Sequence, residues 1–131
     1  MENSRTKLAK QRDELIFGSY EPACYLGGIR RFEPTLTTAA LIKLVDIGAA
    51  EMDERQNFAP SIREMINFGL SHPYVEFGGY VVSPQRGDFR TSIEEVCCTF
   101  SCCQDLVDFV NMFRHADEFN ITVAEGRAWF D

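Results

Sequence analysis

Between Gly79 and Phe130 the hydrophobic period of the chain changes from two residues to between three and four, then back to two. Tyr80-Val81-Val82 has strand composition, Pro84-Gln85-Arg86-Gly87-Asp88 has turn chemistry, and Val96, Cys98 and Phe100 alternate as on a second strand. Leu106, Phe109, Val110 and Phe113 then form a helical stripe, and Phe119, Ile121 and Val123 return to alternation. Glu125-Gly126 turns the chain, and Ala128-Trp129-Phe130 reads as a last short strand. This order, β-β-α-β-β, calls for a small, mostly antiparallel sheet. The predicted boundaries are a hairpin between 79–83 and 90–98 and a helix over 103–114, and the Gly78-Gly79 pair marks a bulge or bend. Residues 92–100 keep a second reading. Ser92-Ile93-Glu94-Glu95 is also a capping box, and Ile93, Val96, Cys97 and Phe100 also fit a helical stripe. Strand is preferred because Thr, Val, Cys and Phe suit a pleated surface.

The first half reads as helical. Leu8, Leu15 and Ile16 among charges predict a weakly amphipathic helix over 5–17, broken at Gly18-Ser19-Tyr20-Glu21-Pro22. Residues 21–34, with two prolines and a glycine pair, read as a loop. A second helix starts at Thr35 or Thr37, fades by Asp53-Glu54, and is apolar on most sides, which marks it as the central, buried helix. Ser61-Ile62-Arg63-Glu64 is a capping box for a third, which Gly69 and His72-Pro73 end. The expected fold is α+β, with N-terminal helices packed on the sheet. One domain over residues 1–131 fits the length, the absence of a linker and the 45% apolar content.

Charge narrows the partners. Residues 1–12 hold four bases and one acid, a net of +3; the other 119 residues hold 9 bases and 19 acids, a net of −10. A body this acidic repels phosphate backbones, so nucleic acid is a poor partner. The basic start reads as a solvated helix face or a frayed end. No apolar run approaches the roughly 18 residues that span a bilayer. Met1-Glu2-Asn3-Ser4-Arg5 lacks the apolar stretch of a signal peptide, so a cytoplasmic location without membrane contact is expected.

The cysteines supply the sharpest chemical question. Cys97-Cys98 end a strand and Cys102-Cys103 open a helix, so a strand-to-helix turn draws the two pairs together. One thiol from each pair with a histidine makes Cys98, Cys102 and His115 metal-ligand candidates, although the spacing matches no established zinc pattern. Thiols at a helix N-terminus also have lowered pKa, which suits redox work by Cys102 and Cys103, but Cys-x-x-Cys is absent. The competing expectation is that most of these cysteines are small core residues, with Cys102 on the stripe of Leu106, Phe109 and Phe113. Cys24 and Arg30 have the Cys-x5-Arg spacing of a phosphatase loop, without the strand and helix that such a loop needs on either side. His72 and His115 read as structural, and the acidic pairs Glu94-Glu95 and Asp105/Asp108 as wet faces. No Walker loop, dinucleotide-binding glycine pattern or zincin motif is present.

Glu54-Arg55-Gln56-Asn57-Phe58-Ala59-Pro60-Ser61-Ile62, Gly79 to Pro84, Arg114 to Phe119 and Ala128 to Asp131 resemble stretches of small uncharacterised bacterial proteins carried on conjugative or other mobile elements. The resemblance covers roughly half of the chain and implies no activity, cofactor or catalytic residue.

The leading expectation is a non-catalytic domain that binds another protein with a basic surface. Loop and terminal aromatics, Phe32, Phe58 and Trp129 first, are its candidate anchors. The alternative is a small metal- or thiol-dependent protein using the Cys97–Cys103 cluster. A symmetric dimer, with the last strand pairing edge to edge with its copy, is the third expectation. No catalytic residue and no cofactor are assigned.

Overall fold

The computed structural model describes residues 3–131. Met1 and Glu2, part of the basic start and of the domain drawn over 1–131, lie outside the described residues. The fold is α+β: four α-helices and a five-stranded antiparallel sheet among the described residues. Helix α1 (Ser4–Phe17) is capped by Asn3, whose side chain accepts from the Thr6 N–H, and ends at Gly18 in the left-handed region. After a 3-10 turn at Pro22–Cys24 come β1 (Ile29–Thr37), α2 (Thr38–Asp46) and α3 (Ile62–Ser71). Then follow β2 (Val75–Val82), β3 (Thr91–Thr99), α4 (Cys103–Phe113), β4 (Glu118–Ile121) and β5 (Glu125–Trp129). The predicted second half is present, and residues 92–98 are strand.

Thr37 caps α2, and the Ser61/Glu64 capping box opens α3. Helix α2 ends at Asp46, short of the expected 53–54, because Gly48 takes a left-handed φ of 83° and turns the chain. It buries only Leu41 and Leu44, so it covers the sheet with one face instead of being enclosed. The core joins these leucines to Ile62, Met65, Ile66 and Phe68 of α3, Phe109 and Phe113 of α4, and Val75, Phe77, Val96 and Ala128 of the sheet. Phe68, Phe109 and Phe113 pack edge-on and tilted at centroid distances of 4.8–6.3 Å.

The loop expected over 21–34 is corrected from residue 29 onward. Arg30-Arg31-Phe32-Glu33 does not alternate, and Pro34 argued against a strand. Yet Pro34 lies where β1 slips register against β2, between Phe32 and Leu36, so its missing N–H costs no ladder bond. Being an edge strand, β1 tolerates this.

The strand order is β1-β2-β3-β5-β4. The last strand is therefore interior, paired on both sides, and has no edge to offer a second copy. That dimer route is corrected: the edges of the sheet are β1 and β4.

A buried polar knot ties α1 to the hairpin. Arg12, with no exposed surface, donates to Asp13 (2.8 Å), to the carbonyl of Val82 (3.1 Å) and to Tyr25 Oη (2.7 Å). Tyr25 Oη in turn donates to Asp13. Burial and the Asp13 carboxylate push the Tyr25 phenol well up. Removing one partner from such a buried set costs about 3–5 kcal/mol, so this knot holds the N-terminal helix in place.

Candidate partner interface

Helices cover one face of the sheet, and the other presents polar side chains. Glu95, Trp129 and Glu118 stand in one cross-strand row, and Glu76, Cys97, Arg127 and Asn120 in the next. On β2 the first row falls on Gly78, which has no side chain.

The glycine pair sets the shape of this face. Gly78 pairs with Glu95 and Gly79 with Ile93, so Glu94 is an extra residue, a β-bulge. The Phe130 N–H donates to the Glu94 carbonyl (2.7 Å). Strict alternation would send Glu94 and Glu95 to opposite faces; the bulge lets both line one hollow of about 250 Å3. Its other walls are Arg31, Phe32, Glu33, Gly79 and Trp129. Glycine is required here by close approach. A Cβ at Gly79 would lie 2.0 Å from the Ser92 carbonyl oxygen, and one at Gly78 would lie 2.7 Å from the Pro34 nitrogen. Trp129 also borders a second hollow of about 90 Å3, with Glu95, Glu118, Asn120 and Arg127. The half-buried indole is thus a ridge between two acid-lined troughs.

The charges are unequal. Glu94, nearly buried, takes Arg31 at 2.5 Å, while the Arg31 side chain stays 68% exposed. Glu33, Glu95 and Glu118 make no ion pair shorter than 4 Å with a described residue. Burial pushes the Glu95 carboxyl up; Arg127 opposes this, and Glu33, Glu94 and Glu118 add to it.

Of the predicted anchors, Trp129 lies in this site. Phe58 is 91% exposed in the loop before α3. Phe32 also lines the first hollow, but its side chain is largely buried in the core, edge-on to Phe17 at 6.0 Å. Sequence reasoning missed Arg31 and Glu33, on a strand read as a loop, and filed Glu94-Glu95 as a wet face. The Gly78-Gly79 signal was available, but only the register against β3 shows which residue is bulged.

The cysteines separate. Cys98 is buried in the core, and burial pushes its thiol up to about 12. Cys97 is on the open face, and Cys24, Cys102 and Cys103 are exposed. Expecting most of them in the core is therefore corrected. Cys102 leaves the stripe because it is the N-cap of α4, in extended conformation, where the side chain swings away from the helix face. His115 follows the far end of α4, about 16 Å along its axis from Cys102 at 1.5 Å per residue. The described residues hold no group of three or more His, Cys, Asp or Glu placed to hold a metal ion.

His72, read as a turn residue, is buried between helices. Its ring stacks on Phe68 at 3.9 Å, Nδ1 lies 2.7 Å from the Phe68 carbonyl oxygen, and Nε2 lies 2.9 Å from Asp108. Hydrogen bonds from Gln104 and His72 hold the Asp108 carboxyl below its usual range. This pair fastens the end of α3 to α4.

No helix among the described residues is long and apolar enough to cross a membrane. Comparison with protein families, curated proteins and solved structures finds no match to this chain.

Proposed function

We propose that the protein is a non-catalytic binding domain whose open sheet face takes an extended segment of another protein bearing lysine or arginine. The observation that carries this reading is Trp129 standing between two hollows walled by Glu33, Glu94, Glu95 and Glu118. Tryptophan is the best aromatic partner for an ammonium or guanidinium group. The carboxylates supply the complementary field, and that field acts chiefly on association rate and choice of partner. An interface of about 800 Å2 per partner fits on a domain of this size. The acidic formal charge of −7 favours the same class of partner.

Calorimetric titration with a synthetic peptide alternating lysine and valine tests the reading. Saturable binding is expected, weakened at least about tenfold between low and high salt. Trp129→Ala should weaken it by a similar factor, about 1.4 kcal/mol or more. No binding at low salt, or binding unaffected by Trp129→Ala, would sink it.

A further inference from the structure

A second, larger cavity of about 690 Å3 opens between the first turns of α1, the stretch 48–54 that follows α2, and residues 88–90 that lead into β3. It shares no lining residue with the troughs beside Trp129. This volume lies in the range that small-molecule sites occupy, about 300–1,000 Å3.

The apolar lining comes from Leu8, Ala49, Ala50 and Phe89. Ala49 and Ala50 are buried, while Leu8 and Phe89 keep exposed surface for a ligand to cover. Six charged side chains surround it, and four of them are already engaged. Arg5 donates to the Arg86 carbonyl (2.9 Å) and lies over the Phe89 ring. Asp53 is paired with Arg63 (3.3 Å). Asp88 is held by Arg86 (2.7 Å) and Arg90 (2.9 Å). Arg90 also donates to Tyr80 Oη (2.8 Å) and Ser92 Oγ (3.1 Å).

Two carboxylates remain. Glu54, with 23% of its side chain exposed, has only the long approaches of Arg90 (3.5 Å) and Ser92 (3.4 Å), both on Oε1. Glu51 makes no ion pair or side-chain hydrogen bond with a described residue. The Glu54 carboxyl sits above its usual range, chiefly through burial, with Arg90 and Ser92 opposing and Glu51 adding repulsion. Arg5, satisfied by a neutral carbonyl and a ring, is one cation of the lining without a carboxylate partner among the described residues, against two under-compensated carboxylates; with the apolar bed, this balance selects a ligand with an apolar body and one positive charge.

We propose that this cavity binds a small primary amine, its ammonium group between Glu51 and Glu54 and its apolar body on Leu8, Ala49, Ala50 and Phe89. The proposal stands apart from partner binding at Trp129, and either can fail alone.

Two-dimensional amide NMR with 2-phenylethylamine as the probe tests it, against 2-phenylethanol and phenylacetate of matched shape. The amine should shift the amides of Ala49, Ala50 and Phe89 saturably in the millimolar range. The alcohol should bind at least about tenfold more weakly, and the carboxylate not measurably. Glu54→Gln should weaken the amine by about tenfold. Glu51→Gln, at an exposed position where the fold has nothing to lose, should do so severalfold, and Trp129→Ala should leave it unchanged. Equal binding of amine and alcohol, no saturable shift at these amides, or full binding by both glutamine variants would overturn the proposal. Loss of amine binding in Trp129→Ala alone would also overturn it, by moving the amine to the sheet face.

Discussion

Glu95 is held at a cost. Its carboxyl is raised above its ordinary value by burial against the sheet, and Glu33, Glu94 and Glu118 add to the burden that Arg127 relieves. A carboxyl raised on folding binds its proton more tightly in the native state. It therefore destabilises the fold where it is ionised, at pH values above its native pKa, and the penalty vanishes once pH falls below its unfolded value. Glu95→Gln should raise stability at pH 7 by a few tenths of a kcal/mol, since much of the group remains in water. Thermal unfolding should show that gain fading as pH drops below about 4, under the ordinary glutamate pKa. A gain that persists unchanged at low pH would mean that packing, not charge, is relieved. Sequence reasoning recognised Glu94 and Glu95 as an acidic pair but could not assign them to one hollow, because alternation on an unbulged strand separates them.

At the scale of elements, the bulge in β3 opposite Gly78-Gly79 shapes the proposed binding face. Gly79→Ala would force a Cβ against the Ser92 carbonyl, a backbone atom that cannot move without the strand. It should cost about 3 kcal/mol in denaturant unfolding. Gly87→Ala, in the turn, meets nothing within 4 Å and has no positive φ, so it should be neutral or mildly stabilising. Equal effects from the two substitutions would remove the close-approach argument. The elements whose signals are local were legible: the Ser61/Glu64 capping box of α3, the stripe of α4 and the turn between β2 and β3. Strand β1 was not, because Pro34 and the paired arginines speak against a strand, and only the neighbouring β2 shows that a proline fits at that register slip. The cysteine grouping also misled, since four thiols within seven residues of sequence are divided between the two faces of the sheet and the exposed end of a helix.

At the scale of the whole molecule, the helices, the α1 knot and the His72–Asp108 pair all lie away from the open sheet face. The contacts that hold the fold and the proposed binding surface thereby lie on two sides of one sheet. The core side was largely predictable from apolar periodicity. The open side depends on long-range register, which brings residues as far apart as Glu33 and Trp129 to one hollow. Trp129 is the only tryptophan in the chain, so its fluorescence reports on that face alone. The most direct test is to follow this emission while adding the lysine–valine peptide, and in parallel an acidic peptide of the same length. The account predicts a saturable change in intensity or wavelength with the basic peptide, reversed by salt, and none with the acidic one. Unchanged emission with a peptide that binds by calorimetry, or the same response to both peptides, would contradict it.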